Sequence, residues 1–229
     1  MKKEYFIKEY NNCGYDNSEI NELLKEYLIK SCLLVANKSN FSTDYYDVKD
    51  HIFEKDEYMK LFITENTKEV VPNIYGFAIF DSFKGYNDML FLHCHGIVLG
   101  PEIQELGLSK KIINYAVKKV NPDILTVKTH NPRCFNSFIN IDNVISYYPN
   151  ELGIIPNEIL ELAKTDPFIC QSNNDLIYKD AYPDEKIQQT KRNNGIDVIF
   201  NKLSPHDAQS AVIVLNDEKL KCKKLVKKI

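Results

Sequence analysis

The stretch Gly100–Val120, GPEIQELGLSKKIINYAVKKV, decides the fold. Its second part repeats apolar residues at Leu108, Ile112, Ile113, Ala116, Val117 and Val120 with Lys and Asn between them, the period of an amphipathic helix. The segment before it, MLFLHCHGIVLG from Met89 to Gly100, is rich in apolar and β-compatible residues. It reads as a long buried strand ending at the Gly100–Pro101 pair. Strand, glycine turn and helix therefore follow one another. In that order the first N–H groups of the helix have no intrahelical carbonyl to meet, and an anion can satisfy them.

Toward the N-terminus, Glu4–Tyr10 has the composition of a first strand. DNSE, Asp16–Glu19, has the spacing of a capping box, and the helix it opens carries Ile20, Leu23, Leu24, Tyr27 and Leu28 and runs to about Ala36. The polar, aromatic stretch Asn37–Asp56 has no firm period and reads as a second helix, a substrate-facing loop, or both. YMKLFITE (Tyr58–Glu65), IYGFAIFDSF (Ile74–Phe83) and the long strand to Gly100 are separated by the turn-forming NTKEVVPN and KGYND, which predicts an antiparallel meander.

Toward the C-terminus, NPD breaks the chain after the helix, and ILTVKTH, Ile124–His130, reads as a strand. A helix separates it from the Met89–Gly100 strand, so the two are expected to run parallel through a right-handed crossover. NPRCFNSFINI then offers Asn131 as N-cap and Pro132 at the first helical position. Beyond Ser146 a loop and a helix from about Pro156 to Lys164 are expected, with DVIFNKL and AVIVLND as late strands. There is no internal repeat, and the reading is of a single domain over residues 1–229 with a C-terminal extension from about residue 150.

Bulk composition narrows the classes. The 229 residues are 44% hydrophobic, enough for a sizeable core. A formal charge of -3 supplies no general attraction to nucleic acid, and the Lys-rich end Lys219–Ile229 reads as a solvated terminus. No apolar run has the length of a membrane span, and MKKEYFIKEYNN lacks the apolar stretch of a signal peptide, so a cytoplasmic protein is expected. The cysteines, Cys13, Cys32, Cys94, Cys134, Cys170 and Cys222, are widely spaced with no C-x-x-C pair, as expected of reduced thiols.

The glycine turn fails two familiar phosphate motifs. A Walker-type loop needs Lys after its second glycine, and Leu108 follows Gly107; the turn also lacks the glycines of a dinucleotide fingerprint. What it does have is Gln104, Gly107 and Ser109, a Q-x-x-G-x-small pattern opening a helix. Small residues there let backbone approach a pyrophosphate, the helix end contributes about half an elementary positive charge, and Lys110 and Lys111 add attraction.

Here the chain resembles the GNAT family of N-acetyltransferases, whose acetyl-CoA motif has the form [QR]-x-x-G-x-[GA]. The resemblance spans about Tyr58–Asn150 and includes TVKTHNP, which looks like the family's next strand and its Asn. It implies a mixed, mostly antiparallel sheet flanked by helices, with two parallel central strands splayed so that the pantetheine arm of acetyl-CoA lies between them. Gln104, Gly107 and Ser109 match the pyrophosphate loop, with Glu105, Leu106, Leu108 and Lys110 beside them. Ile97, Val98 and Leu99 fall where the family's strand backbone holds the thioester, and Asn131 matches the Asn that contacts the cofactor arm. The implied reaction is direct attack of an amine on the thioester, with a small-molecule or peptide amine as acceptor. A non-catalytic acyl-CoA-binding protein on the same fold is the alternative. Phe138 stands where the family often has a Tyr that protonates the leaving thiolate.

Three residues are candidates for acid–base work: His95 near the end of its strand, His130 at the end of the next, and Tyr147 beyond the short helix. For each, ordinary packing is the competing reading. HCH, His93–His95, does not read as a metal site, because alternation in a strand turns Cys94 away from the two imidazoles.

Overall fold

The computed structural model describes residues 3–10, 18–41, 43–53, 55, 57–65, 73–181, 196–218 and 220. The capping box at 16–19, the turn 66–72, Cys13, Cys222 and the Lys-rich end at 219–229 lie outside the described residues, apart from the backbone of 18–19 and residue 220. No helix among the described residues is long and apolar enough to cross a membrane.

Strand β1 (Phe6–Tyr10) pairs antiparallel with β2 (Met59–Thr64), which pairs antiparallel with β3 (Ile74–Lys84). Residues 85–89 connect β3 to its neighbour β4 (Leu90–Leu99), too short a link for a parallel crossover, so this pair too is antiparallel. Helix α1 (Ser18–Lys38) separates β1 from β2, followed by α2 (Tyr45–Val48) and a π-turn at Lys49–Phe53, so the aperiodic stretch is helical in two short pieces. Helix α3 (Leu108–Val120) carries the chain from β4 to β5 (Ile124–Thr129), and these two strands are parallel. The sheet order is β1-β2-β3-β4-β5-β8-β6, with β6 (Ser146–Tyr148) and β7 (Ile177–Tyr178) both pairing with β8 (Ala208–Val214). The sheet is thus mixed and mostly antiparallel. Helices α4 (Pro132–Ile139), α5 (Asn157–Thr165) and α6 (Ile196–Phe200) follow β5 among the described residues.

Two segments differ from the sequence expectation. DVIFNKL was expected as a strand and forms α6: Ile196, Ile199 and Phe200 are buried while Val198 is exposed, a helical period in a run too short to distinguish by composition. Ser146–Tyr148 was expected in a loop and forms β6, an edge strand held by β8 and extended by the Ile145 N–H donating to the Val214 carbonyl at 2.9 Å. A strand this short has no period to read.

The chain divides into two compact units, residues 1–81 with 95–112, and residues 82–94 with 113–229. In the first, Leu28, Ile29, Cys32 and Val35 of α1 pack on Phe62, Phe77, Ile79 and Val98. Gly76 permits the close approach of β3 to the end of β4, since a Cβ there would sit 2.9 Å from Leu99 Cδ2 and 3.0 Å from the Val98 carbonyl oxygen. In the second, Phe91, Ile124, Val212 and Val214 meet Ile159 and Leu162 of α5. β8 is buried along its length, so its polar residues need internal partners. Gln209 Nε2 finds them in the carbonyls of Asp175, Leu176 and Ser210 at 3.1, 2.8 and 3.1 Å.

Leu162, fully buried in the second core, gives the test of this packing. Leu162→Ala is expected to cost about 2–5 kcal/mol in urea unfolding, with the exposed Leu152→Ala within about 0.5 kcal/mol of the parent. Equal effects would mean that α5 does not cover this core.

Candidate functional site

The glycine turn lies in the first unit and is held from within. Pro101–Ile103 form one 3-10 turn, and the Gly100 N–H donates to the Tyr75 carbonyl at 2.8 Å. The Leu99 carbonyl accepts from Gln104 Nε2 at 3.0 Å and from Ser39 Oγ, at the end of α1, at 2.8 Å. Gln104 therefore uses its side chain to staple the turn. Glu105 and Gly107 both take the left-handed conformation, φ 66° and 71°, which reverses the chain into α3. A Cβ on Gly107 would meet nothing within 4 Å, so glycine is required here by its φ and leaves an open face. The first helical bond of α3 runs from the Lys111 N–H to the Gly107 carbonyl at 3.2 Å, so the N–H groups of Leu108, Ser109 and Lys110 precede it at the positive end of the dipole. Leu108 anchors the turn in the core, while Glu105, Leu106 and Lys110 are exposed.

Strand β4 does not alternate strictly through this unit. The His95 ring stacks on Tyr58, centroids 4.4 Å apart at 24°, and Tyr58 packs against the cluster that holds Phe62, Phe77 and Val98. His95 and Val98 thus face the same helix layer although three residues apart. Strict alternation would put them on opposite faces, so the strand takes one extra residue at Gly96–Ile97. Tyr58 is fixed in turn by Lys60, a buried lysine whose Nζ donates to the carbonyls of Lys55 and Tyr58 at 2.6 and 3.3 Å.

The other expected site residues belong to the second unit. His130 directly follows β5, half-buried, and burial lowers its pKa. Asn131 caps α4: its Oδ1 accepts from the N–H groups of Arg133 and Cys134 at 2.9 and 3.4 Å, so this oxygen serves the helix. Tyr147 donates from its hydroxyl to Glu151 Oε1 at 2.6 Å, and burial with this bond pushes its pKa up to about 12. Phe138 is fully buried, so its place belongs to the core. Cys32, Cys94, Cys134 and Cys170 form no disulfide, and burial raises Cys134 to about 11, which leaves it a poor nucleophile. Among the described residues no group of His, Cys, Asp or Glu has the arrangement of a metal site.

A second constellation, absent from the sequence reading except for His93, surrounds that imidazole. His93 Nδ1 lies 2.9 Å from Thr126 Oγ1, Thr126 donates to Asp166 Oδ2 at 2.5 Å, and Phe168 stacks on the imidazole, centroids 4.5 Å apart. All three polar side chains are buried. Burial by itself pushes the Asp166 carboxyl up, but the neighbouring His93 imidazole, the Thr126 hydroxyl and the Phe168 N–H outweigh it, and the net shift is downward. Thr126 and Asp166 are 40 residues apart in sequence, so no local pattern announces the pair.

No family model and no curated sequence matches the chain. Solved structures do. The ribosomal-protein-S18-alanine N-acetyltransferase from Escherichia coli superposes with a TM-score of 0.51 at 10% identity, over 93% of this chain and 95% of that one. The fold is that of the GNAT acetyltransferases. A Bacillus subtilis acetyltransferase in complex with CoA superposes at 0.47 with 14% identity over 93% of this chain and 99% of that one. An IAA acetyltransferase from Bacillus cereus gives 0.46 at 11% identity, over 93% and 100%. On this fold the chain has the glycine turn ahead of α3 and buries a phenylalanine at position 138.

The depressed Asp166 carboxyl makes a pH prediction. A lowered folded pKa stabilises the protein above the unfolded carboxyl value of about 3.9, and that stability is lost as pH falls through the folded value. In urea unfolding the gap between wild type and Asp166→Asn is expected to be full near neutrality and to close below about pH 4. A gap that stays constant would place the Asp166 contribution outside its charge.

Proposed function

We propose that the protein is an acetyl-CoA-dependent N-acetyltransferase of the cytosol, acting on a small-molecule or peptide amine by direct attack on the thioester. The observation that carries this reading is the turn at Gln104–Gly107: left-handed at Glu105 and Gly107, open above Gly107, and running into the N-terminus of α3. A pyrophosphate set there would accept from the N–H groups of Leu108, Ser109 and Lys110, with the Lys110 and Lys111 charges beside it. Ile97, Val98 and Leu99, after the irregularity in β4, would present backbone to the pantetheine arm. Asn131 belongs to the other unit, where its oxygen is committed to the α4 cap. The buried Phe138 favours a second reading, an acyl-CoA-binding protein without turnover, because no phenol stands there to protonate a thiolate.

Thermal unfolding with acetyl-CoA tests the reading. Ligand at about a hundred times its dissociation constant stabilises the native state by about 2.7 kcal/mol, a clear rise in Tm. Gly107→Val, which forces a β-branched residue to φ 71°, is expected to remove the rise while remaining folded. Release of free thiol on adding members of an amine panel then separates enzyme from binding protein. No rise in wild-type Tm at saturating acetyl-CoA would overturn both readings.

A further inference from the structure

The peptide between Leu99 and Gly100 is held from β3, from the turn and from the end of α1. Its N–H donates to the Tyr75 carbonyl at 2.8 Å, and its carbonyl accepts from Gln104 Nε2 at 3.0 Å and from Ser39 Oγ at 2.8 Å. A carbonyl oxygen has two lone pairs, so this one is filled. Pro101 follows and keeps Gly100 extended, φ -57° and ψ 147°. The plane of that one peptide therefore sets the direction in which the glycine turn leaves β4.

Ser39 reaches this peptide by a local rule. Asn40 is left-handed, φ 55°, the Asn40 N–H donates to the Asn37 carbonyl at 3.2 Å, and the Phe41 N–H donates to the Ala36 carbonyl at 3.0 Å. These are the bonds of a Schellman motif, and they make Ser39 the C-cap of α1. The Ser39 hydroxyl also lies 2.8 Å from the Val35 carbonyl, but it has one proton to donate. Val35 already accepts from the Ser39 N–H at 3.1 Å. Without the hydroxyl both carbonyls would keep a donor, Val35 from the Ser39 backbone and Leu99 from Gln104, so satisfying buried acceptors does not require it. What the hydroxyl adds is a directional link between the C-cap of α1 and the turn, 60 residues apart in the chain and within one unit.

We propose that Ser39 is a positioning residue for acetyl-CoA that couples the glycine turn to the end of α1. A closed C-cap holds the Leu99–Gly100 plane, and with it the direction of the N–H groups that open α3. Ligand seated in the turn in its turn holds the C-cap closed. This rests on the acetyl-CoA reading above. Helix ends open locally far more readily than whole domains unfold, so the C-cap is an element that a ligand can bias. Coupling between two such elements is reciprocal: the factor by which ligand favours the closed cap is the factor by which the closed cap favours ligand.

Amide hydrogen exchange of the full-length protein, with and without acetyl-CoA, reads the end of α1 directly. The Phe41 N–H, which closes the Schellman motif, is expected to exchange about fivefold more slowly in the wild type when acetyl-CoA saturates. In Ser39→Ala that slowing is lost, and the dissociation constant for acetyl-CoA, measured by titration calorimetry, rises by about the same fivefold. Ser39→Thr, which keeps the hydroxyl, restores both. Ser39→Gly replaces the alanine variant should that one not fold. A wild-type Phe41 amide indifferent to bound acetyl-CoA, or a folded Ser39→Ala that keeps the slowing or the wild-type affinity, overturns the role and leaves the acetyl-CoA reading intact. No binding heat and no rise in Tm with the wild type overturn that reading, and the role with it.

Discussion

Asp123 fixes where three strands begin and end. Its N–H donates to the Leu90 carbonyl and its Oδ2 accepts from the Leu90 N–H, both at 2.8 Å, which joins the start of β5 to the start of β4. Its carbonyl accepts from the N–H groups of Leu215 and Asn216 at 2.9 and 3.1 Å, and its Oδ1 from Asn216 Nδ2 at 2.9 Å, just past the end of β8. One buried side chain and its own peptide groups thus set the register of β4 and β8 against β5. From that register His93 falls opposite Thr126, and the imidazole and hydroxyl meet on one face of the sheet. A slip of one residue would turn every side chain to the other face and separate them.

In the first unit the corresponding constraint is backbone geometry. The extra residue at Gly96–Ile97 turns Val98 toward α1 after His95 has already faced that layer. Ser39 and Gln104 then fix the Leu99 carbonyl, and the two left-handed residues aim the start of α3. The positive end of the α3 dipole is held in place by the burial of Leu108, Ile112 and Ala116. A strong local field therefore depends on ordinary apolar burial.

The parts legible in the sequence are those fixed by local rules. The period of α3, the glycine turn before it, the cap and proline of α4 and the helix crossover that makes β4 and β5 parallel depend on residues a few positions apart. What escaped depends on distant partners. β6 is a strand because β8 lies beside it, and α6 is a helix because its buried face, not its composition, selects the period. NPD read as a simple break, yet its Asp123 joins three strands. Within the candidate site, Asn131 was recognisable as the α4 cap, whereas the use of Gln104, whose side chain spends a hydrogen bond on the turn that carries it, was not. Asp166 came from a segment with no motif at all.

The proton chemistry follows from comparing partners. Tyr147 is pushed up to about 12 with its hydroxyl engaged by Glu151, which makes it a weak acid at neutral pH, and Phe138 has no proton to give. Among the imidazoles, His95 is exposed and stacked on Tyr58, a contact that holds the ring plane without choosing between its nitrogens. His130 has its pKa lowered by burial, which favours the neutral ring but does not by itself choose a nitrogen. His93 has a hydroxyl and a carboxylate in series behind one nitrogen, and it is buried where electrostatic interactions are least screened by water.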